Sequence, residues 1–223
     1  MEALKRTILY ENHVKSGANL VDFGGWEMPV NYTSGMVEEH IYTRKKVGIF
    51  DVSHMGRFVI SGREATKFLQ YVLTNNVFAL DIMQAQYTMI PNENGGALDD
   101  AYLYRFYEDE YLLVVNASNI EKDWEHLNKE IEKFDASVIN KSEELAMISV
   151  QGPDSKSVLS KLTGSVYFTE PVKNALGFLK FKGREVLIAK TGYTGEPLGF
   201  ELFMKAPDAA EIWKQLIEYG AMA

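Results

Sequence analysis

Two successive carboxylates, Asp99 and Asp100, open an aromatic strand directly after a turn cluster in the stretch Asn92-Glu-Asn-Gly-Gly-Ala-Leu-Asp-Asp-Ala-Tyr-Leu-Tyr104. Side chains alternate along a strand, so Asp100, Tyr102, Tyr104 and Phe106 share one face, while Asp99, Ala101 and Leu103 share the other. A carboxylate among aromatic rings loses hydration and must then find a donor. Flat, nitrogen-rich ligands supply both a ring to stack and N–H groups to donate. The plainer reading makes both aspartates solvated turn residues.

A second acid stands out in Gly199-Phe-Glu-Leu-Phe-Met204, an apolar strand interrupted only by Glu201. In a central strand Glu201 is a buried acid that needs a donor; in an edge strand it faces water. Asp100 and Glu201 are thus the two acids in apolar company. Such a pair suits a heterocycle that shows adjacent N–H and NH₂ donors. One carboxylate accepts both donors side by side, and the other acts on a nitrogen whose bonding changes during reaction.

Three further groups have less to offer. Asp51-Val-Ser-His-Met-Gly56 brings Ser53 and His54 together beside an aspartate. Sequence neighbours usually point apart, so a nucleophilic triad is rejected and His54 is read as a buried, hydrogen-bonded side chain at a strand junction. His13, His40, His54 and His126 lack metal-ligand spacing, and no catalytic metal is expected. Thr191-Gly-Tyr-Thr-Gly195 lacks the Gly-Lys-Ser/Thr and following helix of a phosphate loop, and reads as a tight turn presenting Tyr193.

The elements that position these residues follow from periodicity. Val21 to Pro29 reads as loop or short turns. A helix is predicted from about Met36 to Val47, stopped by Gly48, and a short strand over Ile49 to Val52. From 57 to 140 the pattern is β–α–β–β–β–α–β, a compact antiparallel α+β unit. Its second helix opens on the capping box Ser118-Asn-Ile-Glu121, with Ile120, Trp124, Leu127, Ile131 and Phe134 as its apolar stripe. A strand at Ala146 to Gln151, a helix at Asp154 to Leu162 and strands near Phe178, Val186 and Phe200 come next. A last helix starts at Pro207 and is capped by Gly220. The expected architecture is α+β, two interleaved subdomains with antiparallel sheets. Residues 1-55 and 142-223 form a discontinuous outer domain, and 56-141 an inserted, ferredoxin-like one.

Composition narrows the function. Across 223 residues, 31 acidic side chains stand against 23 basic ones, a net charge of −8 that speaks against a nucleic-acid groove. Cysteine is absent, which removes disulfides, thiol nucleophiles and thiolate metal sites. The start of the chain lacks the apolar run of a signal peptide, and nothing approaches the roughly 20 apolar residues that span a bilayer. A soluble, cytoplasmic protein is expected.

Six motifs carry a resemblance: Val21-Asp-Phe-Gly-Gly-Trp-Glu-Met-Pro29, Asp51-Val-Ser-His-Met-Gly56, Asn92-Glu-Asn-Gly-Gly96 with Asp99-Asp100, Val115-Asn-Ala117, Gln151-Gly-Pro153 and Thr191-Gly-Tyr-Thr-Gly195. In this order and spacing they resemble the T-protein family of the glycine cleavage system, over almost the whole chain. The resemblance implies a tetrahydrofolate-dependent aminomethyltransferase with the folate as cosubstrate and no metal. It would take its group from the lipoyl arm of an H-protein, release ammonia and make 5,10-methylenetetrahydrofolate. Asp100 matches the family's catalytic aspartate, and Glu201 the acid that accepts the pterin's N–H and amino groups. Asn116, Tyr87, Tyr104, Tyr193 and Met55 match or adjoin positions lining the folate cavity.

The chain also departs from the family. The segment Glu196-Pro-Leu-Gly-Phe-Glu201 is one residue longer than usual, so Glu201 is aligned through Gly-Phe-Glu-Leu in preference to Glu196. The family's tyrosine pair is missing around Val172 to Leu179. Lys190 stands where arginine is common, which keeps the charge but loses the planar fork. The family continues past the equivalent of Tyr219-Gly-Ala-Met-Ala223 into an arginine-bearing segment and a C-terminal β-barrel. The chain is therefore expected to be an N-terminal portion with weak folate binding and little transfer. Two rivals stand beside this reading: a related one-carbon demethylase or oxidase folate domain, and a non-catalytic folate-binding module.

Overall fold

The computed structural model describes residues 3–164, 171–192 and 195–223. In chain order it begins with α1 (Tyr10–Lys15), β1 (Asn19–Phe23), β2 (Trp26–Asn31), α2 (Met36–Lys45) and β3 (Gly48–Asp51). Next come β4 (Gly56–Ser61), α3 (Ala65–Val72), β5 (Gln84–Pro91), β6 (Ala97–Tyr107), β7 (Glu110–Val115), α4 (Ile120–Ile131) and β8 (Ser137–Asn140). The chain closes with β9 (Leu145–Gln151), α5 (Ser155–Thr163), β10 (Leu176–Phe181), β11 (Arg184–Ala189), β12 (Gly199–Lys205) and α6 (Ala209–Glu218). Two compact units emerge: unit 1 holds residues 1–54, 144–173 and 177–223, and unit 2 holds 55–143 with 174–176.

Unit 1 is organised by a five-stranded sheet in the order β10-β11-β12-β9-β3. Strand β12 lies at its centre, antiparallel to β11 and β9, with Glu201 opposite Ala189 on one side and Ser149 on the other. Ile148, Val150, Ile188, Phe200 and Leu202 of the sheet pack with Leu159 of α5 and Ile212, Trp213 and Leu216 of α6 in one buried cluster. The stripe Ile212–Leu216 is the face the sequence predicts for the last helix. That helix begins at Ala209, after a 3-10 turn at Ala206–Asp208 that contains the proline.

The Gly-rich opening differs from expectation. Val21 to Pro29 belongs to the β1–β2 hairpin, with Phe23 opposite Trp26. Gly24 and Gly25 adopt φ of +60° and +86°, the left-handed pair that closes a tight hairpin. Glycine punctuation that reads as loop is here the turn between two strands. Helix α2 also ends earlier than predicted, at Lys45, and buries none of its residues.

The glycine of Gln151-Gly-Pro153 has a steric reason. Gly152 sits at φ +118°, and a Cβ there would lie 2.4 Å from the Thr43 carbonyl oxygen and 2.5 Å from that of Lys46. Gly152→Ala therefore forces backbone apart, at an expected cost of about 2–3 kcal/mol. A thermal midpoint equal to that of the parent chain would refute this.

Unit 2 follows the predicted order of elements from β4 to β8 and forms a five-stranded antiparallel sheet, β5-β6-β7-β4-β8. The run β6-β7-β4-β8 has the expected ferredoxin-like order, and β5 adds an edge strand. Phe68 of α3 meets Phe134 edge-on at 5.6 Å, and Phe58 of β4 meets Trp124 of α4 at 5.3 Å. The capping box is not formed. Ser118 lies in a 3-10 turn, and α4 starts at Ile120 behind Asn119, with no side-chain capping bond. Asn119 spends its side chain on Asp99 instead.

Candidate active site

Strand β6 carries the two aspartates, and the turn before it is built to deliver them. Asn92 Oδ1 accepts from the amides of Asn94 and Gly96, each at 2.9 Å, and the Asn92 amide donates to the Gly96 carbonyl at 2.7 Å. This Asx-type turn fixes the entry of the strand. Asp99 then pairs with Ile90 and Asp100 with Met89 across the β5–β6 ladder.

Alternation assigns the two faces as expected, but the hydration is the reverse of the prediction. Asp99 is the buried acid, 7% exposed, whereas Asp100 is exposed. The face of Asp99 is covered by the start of α4, and side-chain alternation does not reveal which face a helix will cover. Asp99 Oδ1 accepts from Asn116 Nδ2 and Asn119 Nδ2, both at 2.8 Å, and its Oδ2 accepts from the Asn116 amide at 3.0 Å. Burial pushes its carboxyl upward, but the hydrogen bonds it receives outweigh this and hold it below the usual carboxylate range.

Asp100 is clamped rather than desolvated. Its Oδ2 accepts from the Tyr87 hydroxyl at 2.9 Å, and its Oδ1 accepts from Asn116 Nδ2 at 2.7 Å. The Asn116 side-chain amide thus divides its two hydrogens between the neighbouring carboxylates. The hydrogen bond to Asp100 raises the Tyr87 phenol above its ordinary value and keeps it a donor. Beside Asp100 runs an aromatic ladder: Tyr87 to Tyr102 at 6.2 Å, Tyr102 to Tyr104 at 5.5 Å, Tyr104 to Phe106 at 6.3 Å. Tyr87 is 41% exposed and Tyr104 is fully buried. Met55 is half-buried at the turn into β4, and its carbonyl accepts from the buried Arg57 guanidinium. Together these groups offer an oriented carboxylate, accessible to a ligand, on a tyrosine-lined strand.

In unit 1 the central position of β12 decides the open question about Glu201: it is 3% exposed, and the Thr191 hydroxyl donates to its Oε2. Glu196, the alternative acid, is instead ion-paired with Arg44. Beside Glu201, Gln151 donates through Nε2 to Ser149 Oγ at 2.8 Å. A Cβ on Gly199 would lie 2.2 Å from Gln151 Oε1, so any larger residue there pushes this buried amide aside. Tyr193 lies outside the described residues.

The residues of the Asp51 motif are committed elsewhere. Ser53 Oγ donates to the Met147 carbonyl and accepts from the Met147 amide, both at 3.0 Å. Asp51 Oδ2 receives the Thr7 hydroxyl at 2.6 Å and His13 Nε2 at 3.0 Å, and its Oδ1 receives the Ser53 amide at 2.9 Å. His13 Nδ1 in turn shares a 2.9 Å hydrogen bond with the Tyr32 hydroxyl. Burial favours a raised Asp51 carboxyl, yet the bonds from His13, Thr7 and Ser53 prevail and depress it. The sequence reading missed this buried group, because 38 residues separate His13 from Asp51 and no spacing rule joins them. Tyr32 and Asp51, with Glu39 and His54, are among the polar groups lining a largely apolar pocket of about 380 Å³, walled by Phe23, Met28, Phe50 and Trp213. Glu201 is not part of its lining. Among the described residues, no three His, Asp or Glu side chains gather as a metal site, and no helix is long and apolar enough to cross a membrane.

Comparison with known proteins agrees with the motifs. Residues 9–223 match the GCVT N-terminal domain family. The chain is 46% identical over 218 residues to an aminomethyltransferase of Thermus thermophilus, covering 98% of this chain and 62% of that protein. The chain thus spans about three-fifths of the length of this relative. The crystal structure of glycine cleavage system aminomethyltransferase T from Bartonella henselae superimposes with a TM-score of 0.88 at 33% identity, covering 98% of this chain and 59% of that one. A heterotetrameric sarcosine oxidase from Corynebacterium superimposes with a TM-score of 0.61 at 12% identity over 96% of this chain and 94% of that one, a likeness of fold alone. The chain belongs to the GCVT N-terminal domain family, that of the glycine cleavage aminomethyltransferases.

Proposed function

We propose that this chain serves tetrahydrofolate-dependent aminomethyl transfer, taking the group from the lipoyl arm of an H-protein, releasing ammonia and yielding 5,10-methylenetetrahydrofolate in the cytoplasm. The observation that carries this reading is the exposed Asp100, held between the Tyr87 hydroxyl and the Asn116 amide. A folate nitrogen that forms a new bond to carbon acidifies the hydrogen it carries. Asp100 orients that N–H and takes the proton, while Tyr87 and Asn116 stabilise the carboxylate that waits for it. Asn116, Tyr87, Tyr193 and Met55 line the folate, and the fully buried Tyr104 backs the aromatic ladder from within.

Glu201 accepts the paired N–H and amino donors of the pterin, a task for which one carboxylate suffices. Its burial supports this role, since a carboxylate shielded from water forms stronger hydrogen bonds. Glu201→Gln replaces a charged acceptor with a neutral amide and forfeits about 1.5–3 kcal/mol. Tetrahydrofolate affinity measured by titration calorimetry is expected to fall roughly 10- to 100-fold. Unchanged affinity would remove Glu201 from the pterin.

The defining test is titration with tetrahydrofolate followed by a single turnover with aminomethylated H-protein. Folate-dependent release of ammonia supports the reading. Binding without transfer would favour a folate-binding module, and transfer from a methylated amine instead of H-protein would favour a demethylase. Absence of binding would defeat all three.

A further inference from the structure

Asp123, in the first turn of α4, is completely buried, and no donor among the described residues reaches either of its carboxyl oxygens. An ionised carboxylate in that position is untenable, because nothing replaces its lost hydration. Asn119, four residues earlier, donates to Asp99 at 2.8 Å, and one helical turn brings Asp123 against the same carboxyl. Two carboxyl groups in contact repel when both are charged, and attract when one proton lies between them. Asp99 already receives three hydrogen bonds from Asn116 and Asn119, so it is the member stabilised as the anion. Asp123 keeps the proton.

We infer that Asp99 and Asp123 hold a single proton between them, and that this acid pair is a positioning device: it fixes Asp99, which fixes the Asn116 amide, which presents its second hydrogen to Asp100. The chain of contacts is short. Asp123 donates its O–H to Asp99; Asp99 Oδ1 receives one Asn116 Nδ2 hydrogen at 2.8 Å; the other Nδ2 hydrogen meets Asp100 Oδ1 at 2.7 Å. Its relevance to catalysis rests on the folate reading given above; the proton-sharing itself does not.

The charged groups acting on Asp123 are Asp99 from β6 and Lys122 from its own helix. Burial and then Asp99 push Asp123 up to about 8, against a smaller opposing effect of Lys122. The Lys122 ammonium is turned toward the Leu98 carbonyl at 2.6 Å and Asn119 Oδ1 at 3.0 Å. A group raised in the folded state stays protonated there after the unfolded chain has lost its proton. Stability from this pair therefore falls as pH rises from about 4 to about 8, and levels off above. The clamp loosens over the upper part of that window.

The test is a pH titration of the 223-residue chain followed by NMR, with the Asn116 side-chain amide as reporter and the Asp123 carboxyl carbon as direct probe. Both signals are expected to titrate together near pH 8 in the parent chain. In Asp123→Asn, whose neutral amide can still donate to Asp99, the Asn116 signal is expected to stay in its low-pH position throughout. In Asp123→Leu it is expected to lose its protection at every pH; should that variant fail to fold, the parent and Asn variant still decide the matter. An Asp123 carboxyl that titrates in the ordinary range, or an Asn116 amide indifferent to pH from 5 to 9.5, would overturn the inference. If instead the amide titrates as described while Asp100→Asn leaves folate transfer untouched, the clamp stands and the folate reading fails.

Discussion

Asp100→Asn is expected to lower aminomethyl transfer by about 10²- to 10⁴-fold, the usual range for removing a general acid–base group. The substitution keeps the size of the side chain, and an amide oxygen can still accept from Tyr87 or Asn116. It removes the charge that takes a proton. Because Asp100 is exposed and sits at the end of a short chain of hydrogen bonds, the fold is expected to survive. The informative measurement is a single-turnover rate alongside a tetrahydrofolate titration. A large loss of rate with a small loss of affinity marks a group that acts on the reacting nitrogen. Equal losses in both would make Asp100 a binding residue, and no loss would dismiss it.

The largest loss of stability is expected at Asp51. Asp51→Ala leaves the Thr7 hydroxyl, His13 Nε2 and the Ser53 amide without their acceptor in a dry interior. Breaking a buried hydrogen-bonded pair by deleting one member typically costs about 3–5 kcal/mol. Denaturant unfolding is expected to show that loss at neutral pH, and a change below 1 kcal/mol would mean the group is not a structural anchor. The dependence on pH has a definite sign. Asp51 is depressed in the folded state, so its contribution is fully present above the ordinary carboxylate value near 4 and is lost as pH falls below it. The parent chain should therefore lose its advantage over Asp51→Ala in acid. Asp123 slopes the other way, from about 4 to about 8, so the two groups can be told apart in one pH series.

Much of the fold could be read from the chain because periodicity and turn chemistry agreed. The order β4-α3-β5-β6-β7-α4-β8 follows from alternating strands and the stripe Ile120, Leu127 behind a polar start. The β1–β2 hairpin escaped because Gly24 and Gly25 carry the same signature whether they interrupt a loop or close a turn. At the site, alternation correctly separated Asp99 from Asp100, yet it carries no information about which face α4 covers. The expected dry acid was therefore the wrong one of the two. Glu201 shows the same gap from the other side: its burial depends on β12 being third of five strands, a property of the assembled sheet. The anchor at His13 and Asp51 left no local trace at all.

The order of strands in unit 1 has a consequence for biosynthesis. Strand β3 leaves the ribosome early but pairs with β9, about a hundred residues later, and β9 needs β12, some fifty later still. Strands β4 to β8, by contrast, arise from one uninterrupted stretch and pair with one another within it, the later residues 174–176 adding a bridge to the outer edge of β5. The nascent polypeptide can thus complete this middle sheet while β3 still waits for β9, exposing apolar side chains such as Ile49 that holdase chaperones recognise.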